Sequence, residues 1–113
     1  TYSYGTVANG STNEKVFTLN NIGGASATAM AGAGLAAPFT FKGGSYPGTG
    51  GTCLTTLTGS ANCTIVVVYS PTTVATHNDT IDINYNDGAS PQTSSRNVTG
   101  TAVAPASLSI SDA

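Results

Sequence analysis

Cys53 and Cys63 stand ten residues apart in a chain that has one histidine and five acidic residues. Such a pair can form a disulfide or contribute to a metal site. Two cysteines and His77 fall short of the four ligands of a closed zinc shell. Little charge, low lysine and abundant Thr, Ser and Gly suit a protein outside the cell. The pair therefore reads as a structural disulfide rather than two reduced thiols. Closing a loop of this length contributes about 3 kcal/mol in the chain-entropy model.

The other reactive groups lack partners. His77, in His77-Asn78-Asp79, has no nucleophile or second ligand placed beside it. It reads as a solvated loop histidine ahead of a strand, not an acid–base group. No Gly-x-Ser-x-Gly context supports a serine nucleophile. Asp79, Asp82, Asp87 and Asp112 lack the spacing of a calcium loop and read as solvated acids. Lys15 and Lys42 adjoin strand ends or loops, so exposure is expected rather than an internal isopeptide bond. Asn9, Asn62, Asn78 and Asn97 open glycosylation sequons, which arise by chance in a Thr-rich chain.

Tyr2, Tyr4 and Tyr46 sit in polar, glycine-rich surroundings. An exposed tyrosine can stack on a sugar or line a protein contact. Tyr2, Tyr46 and Asp87 are thus the candidate ligand contacts. The plainer alternative makes Tyr4 the edge of a core and Tyr46 a loop filler. No catalytic residue, metal or cofactor is expected.

The elements that must carry these residues are strands. Val16-Phe17-Thr18-Leu19-Asn20 alternates, with Phe17 and Leu19 on one face, and Asn21-Ile22-Gly23-Gly24 ends it. An Ala/Gly-rich stretch is expected to hold a short strand at about 27–31 and then loop. Pro38-Phe39-Thr40-Phe41 places both Phe on one face. A glycine-rich loop follows from Gly43 to Gly51. Residues 63–70 form the strongest strand and are apolar on both faces, so its second face is expected to be covered. Ile81, Ile83 and Tyr85 alternate with Asp82 and Asn84. Asn86-Asp87-Gly88 is a turn signal. A polar strand over about 94–102 turns Val98 inward. The expected fold is all-β, an immunoglobulin-like antiparallel sandwich of about seven strands.

Size and charge agree. At 113 residues one domain with its own core is feasible. Only 7% of residues are charged, the net charge is −2, and nineteen threonines and fourteen glycines favour strands and tight turns. Lys15, Lys42 and Arg96 are scattered, which argues against nucleic-acid binding. No apolar run reaches a membrane span, and no signal peptide opens the chain, so any export signal is expected to lie outside it.

Tyr4-Gly5-Thr6-Val7, Gly10-Ser11-Thr12, Val16 to Gly23, Pro38-Phe39, Gly51-Thr52-Cys53, Cys63-Thr64-Ile65 through Tyr69-Ser70-Pro71, Tyr85 to Gly88 and Val98-Thr99-Gly100-Thr101 follow one another in order. Together they resemble the choice-of-anchor D family of bacterial surface proteins, whose repeats are related to hydin-type and pilus-chaperone-type sandwiches. The resemblance implies a tandem repeat acting as a non-catalytic stalk or adhesion module in a secreted or cell-surface protein. Its partners would be neighbouring repeats, with a surface glycan or protein as the alternative, met by loops around Tyr46 and residues 86–90. It also implies that a repeat opens with a segment like Ser107-Leu108-Ser109-Ile110-Ser111-Asp112, so no strand is expected ahead of Tyr2. The expected division is a sandwich at 1–104, then a linker and the first strand of a following repeat at 105–113. Ser107, Leu108, Ser109 and Ile110 are candidates for strand exchange, filling a vacant edge of their own domain or of a neighbouring copy.

Overall fold

The computed structural model describes residues 1–112; the last residue of the expected 105–113 segment, Ala113, lies outside them. Seven strands form two sheets: β1 (Tyr2–Ala8), β2 (Asn13–Asn20), β3 (Thr28–Ala33), β4 (Phe39–Phe41), β5 (Asn62–Tyr69), β6 (Thr76–Asn86) and β7 (Pro91–Val103). One sheet has the order β1-β7-β6-β3 and the other β2-β5-β4. This is the immunoglobulin-like sandwich that alternation predicts.

The apolar positions of the alternating runs meet between the sheets. Ile65, Val67 and Tyr69 of β5 face Ile81 and Ile83 of β6 and Val98 of β7, with Phe39, Phe41 and Met30 in the same core. Val66 and Val68 are also buried, so β5 is covered on both faces. Tyr69 is fully buried. Its ring stacks on Phe39 at 4.8 Å and tilts against Tyr4 at 5.6 Å. β7 passes that ring at Gly100, where a Cβ atom would fall 2.7 and 2.8 Å from ring carbons. A side chain there has no room.

Several boundaries differ from the sequence reading. Tyr2–Ala8, which opens the chain, is a strand, paired parallel to β7 with a register shift between Ser3 and Thr6. Gly5 supplies the positive φ of 76° inside that shift. β3 runs on to Ala33 against β6. β6 begins at Thr76, so His77 and Asp79 are strand residues and not loop residues. β6 pairs with β7 over its whole length, from Thr76 with Thr101 to Asn86 with Pro91. That continuous ladder makes the polar His77-Asn78-Asp79 extended.

The Cys53–Cys63 disulfide closes the connection ahead of β5, with Cα atoms 4.9 Å apart. Beside it, Thr52 and Thr64 exchange side-chain and backbone hydrogen bonds. The closed loop reaches the other sheet. Leu57 and Ala27 bond to each other through both backbone groups, and Met30 N–H donates to Thr55. The loop is therefore a clasp between sheets.

Beyond β7, residues 104–112 adopt no helix or strand, and Leu108 and Ile110 are fully exposed. The long axis of the molecule is 72 Å against 21 Å for the other two. Thirteen residues of β7 span only about 43 Å, so the tail extends away from the body.

Candidate functional site

A concavity lies between the sheets on the side where β2 is the edge strand, towards the hairpin that joins β6 to β7. It is a groove of about 620 Å³. Its lining includes Phe17 and Leu19 of β2, Ile65 of β5, Ile81, Ile83 and Tyr85 of β6, and Ser94 to Arg96 of β7. The segment after β2 and the Asp87 hairpin form the rest of its rim. β1 meets β7 only from Val98 onward, so among the described residues no strand pairs with the first half of β7 on that side. The groove is where the two sheets gape.

Ile22 stands at the rim and is 97% exposed. Its loop is nonetheless fixed. Asn21 donates through Nδ2 to the carbonyls of Ala25 and Leu57, at 2.8 and 2.9 Å, and its Oδ1 accepts from Gly23 N–H. Ile22 is one of several exposed large apolar side chains, with Val16, Leu54 and Val74 among the others, and single exposed residues of this kind are common on protein surfaces. In the sequence Ile22 is one residue of a turn signal.

Asp87 belongs to the rim. Its carboxylate accepts hydrogen bonds from Ala89 and Ser90 N–H, each 2.8 Å, and from Gln92 Nε2. The backbone donors of Ser90 and Ala89 hold its carboxyl below the usual carboxylate range. Asp87 thus shapes the hairpin as well as facing the groove. Tyr2 lies beside this region, edge-on to Phe17 at 5.4 Å, with Lys15 Nζ 5.2 Å from its ring centre. Tyr46 lies elsewhere. It is edge-on to Phe41 and donates its hydroxyl to the Leu54 carbonyl at 2.9 Å. The structure brings Asp87 to the groove and Tyr2 close to it, and leaves Tyr46 out.

The remaining reactive groups are structural. His77 Nδ1 lies 2.7 Å from the Tyr69 hydroxyl and its Nε2 3.1 Å from Thr73 Oγ1. It is half-buried and tied to the core, which corrects its reading as a solvated loop residue. Asp79 accepts from Ala36 N–H and Asp82 from Ser95 Oγ, so neither is simply solvated. Lys42 pairs with Glu14 at 2.8 Å. Among the described residues no group of three or more His, Cys, Asp or Glu converges on one point, and no helix is long and apolar enough to cross a membrane.

The match to known families decides what kind of module this is. Residues 1–101 match the model of the HYDIN/CFA65/VesB-like Ig-like domain. The chain belongs to this family. A search of curated proteins found no match. Among solved structures, the HYDIN/VesB-like sandwich superposes on the VesB protease of Vibrio cholerae with a TM-score of 0.71 at 14% identity, covering 88% of this chain and 29% of that one. It is also similar to the ASH/PapD-like domain of human CEP192, with a TM-score of 0.63 at 17% identity, covering 92% and 82%. The secreted serine protease VesC of Vibrio cholerae gives 0.59 at 14% identity, over 88% and 21%. The chain spans under a third of either protease. What the HYDIN/VesB-like domain shares with them is the Ig-like sandwich fold; the brace between Cys53 and Cys63 is seen in this chain.

Buried phenols give this module an alkaline limit. Burial raises Tyr4, with the neighbouring Tyr2 adding to it, and burial alone raises Tyr46 and Tyr69. The folded state keeps phenolic protons that the unfolded chain releases. The stability they contribute is complete below the ordinary phenol value of about 10 and is lost as pH rises beyond it. A titration followed by circular dichroism and tyrosinate absorbance should show the sheet signal failing cooperatively as the last phenols ionise. Complete tyrosinate formation in a still-folded module would contradict this.

Proposed function

We propose that this chain is a structural or adhesion repeat, a disulfide-braced stalk or spacer, in an exported bacterial protein of the choice-of-anchor D type. The observation that carries the reading is the Cys53–Cys63 clasp, which locks the two sheets together. Disulfides persist in oxidising compartments, and the similar VesC is named as a secreted protein. In this reading residues 1–104 are the repeat, and the tail leads towards the next one, so the partners are neighbouring repeats.

A second reading is favoured by the groove and its fixed, exposed Ile22. In it the module binds a surface protein or glycan, with Asp87 and Tyr2 at or near the contact and Tyr46 contributing through a separate loop. A glycan array and a pulldown from surface extracts distinguish the two. The spacer reading expects no specific capture. Millimolar or tighter binding that Tyr46→Ala or Asp87→Ala abolishes would replace it with the second.

A further inference from the structure

We propose that Lys15 and Arg96 are edge guards: each sets a cation on the core-facing side of an unpaired strand edge and so refuses a strand from another molecule. The inference rests on the sheet edges and is independent of both functional readings.

The edges fall into two kinds. Three are interrupted by their own geometry. β1 carries the register shift at Gly5, β3 has a second shift between Thr28 and Ala31 with Ala29 at a φ of 51°, and β4 is three residues long. A kinked or very short strand is a poor template for a ladder. Two edges are regular. β2 runs in unbroken register with β5 from Asn13 to Asn20, and β7 with β6 from Pro91 onward. Among the described residues no strand pairs with the far side of β2, or with β7 ahead of Val98. Backbone groups on those sides point outward and can accept a new ladder.

The cations sit on these two edges, and on their inner faces. Residues directly opposite in a ladder share a face of the sheet. Lys15 is opposite Val67, which is fully buried, and Arg96 is opposite Ile81, which is 2% exposed. At an edge the long side chain still reaches water, and both residues are exposed. Lys15 Nζ lies over the Tyr2 ring, and Arg96 lines the groove. The chain has only three Lys and Arg residues, and the third, Lys42, pairs with Glu14. Among the described residues neither Lys15 nor Arg96 lies in an ion pair. Asp87, at the same rim as Arg96, is engaged by Ala89, Ser90 and Gln92 of its own hairpin.

A strand added to either edge would extend the inner face over the guard. The cation would then lie between the apolar residue opposite it and the newcomer's side chain, cut off from water. Burying a charge without a partner offsets the modest net gain of new backbone hydrogen bonds. Valine at the same position would continue the apolar face and remove that cost.

Sedimentation from micromolar to millimolar concentration tests this, with amide exchange to locate any contact. The unaltered chain should stay monomeric. Lys15→Val should pair β2 with β2 of a second copy about a twofold axis and stop at a dimer. Arg96→Val should do the same through residues 91–97. Each should lower the concentration of half-dimerisation by about tenfold or more, with Lys15→Gln and Arg96→Gln in between. The double valine variant has two open edges and should grow beyond the dimer, with new protection on β2 and residues 91–97. Net charge alone predicts the opposite, because removing cations from a chain of net −2 increases mutual repulsion. Lys42→Val makes the same charge change off these edges and should stay monomeric, as should Lys15→Arg and Arg96→Lys. Urea midpoints close to that of the unaltered chain show that folded molecules are associating. Folded valine variants that remain monomeric at millimolar concentration would overturn the proposal. So would equal association of Lys42→Val, or an unaltered chain that already pairs through β2 or residues 91–97.

Discussion

Gly100→Ala is expected to destabilise the module by about 1–3 kcal/mol, and Gly100→Val by more, because the added atoms overpack a full core. The reason lies across the sandwich. A Cβ at position 100 falls within 3 Å of the Tyr69 ring. Ordinarily an aromatic ring can turn aside. Here Phe39 stacks on it, Tyr4 tilts against it, and its hydroxyl is held by His77. Any shift of the ring loosens all three, so the strain spreads into the backbone of β7. Gly24→Ala is the control, since nothing lies within 4 Å of its Cβ direction. Urea unfolding of the two variants should separate them clearly. Equal midpoints would mean that the Tyr69 ring moves freely.

Removing the disulfide has an effect of similar size. Replacing Cys53 and Cys63 together by Ala should cost about 3 kcal/mol through the freed ten-residue loop. Because that loop bonds to Ala27, just ahead of β3, and to Met30 within β3 of the other sheet, the loss should begin locally. Amides of Ala27 and Met30 are expected to exchange faster under conditions where β6 and β7 remain protected. Chemical denaturation with and without a reductant gives the total, and residue-resolved exchange gives the order. Uniform loss of protection across both sheets would contradict a clasp role for the loop.

The strands that alternate strongly were legible before any coordinates. Phe17 and Leu19, Phe39 and Phe41, and Ile81 and Ile83 each mark a face, and each pair is turned inward. What could not be read depended on distant partners. Tyr2–Ala8 is interrupted by Gly5 and carries little apolar weight, and it becomes a strand because β7 offers an edge. His77 belongs to a polar triplet, and its place is set by Tyr69, eight residues away and in the other sheet. The groove draws on β2, β5, β6 and β7 together. No local pattern encodes a gap between sheets. The tail is the opposite case: Leu108 and Ile110 were visible as an alternating pair, but their exposure needed the fold.

The parallel pairing of β1 with β7 has a directional consequence. If tension enters at Tyr2 and leaves at Val103, the two strands are drawn past each other along their length. Their ladder, from Tyr2 with Val98 to Ala8 with Val103, is then loaded in shear, and its hydrogen bonds must give way together. An antiparallel pair pulled from the same end would open one bond at a time, like a zip.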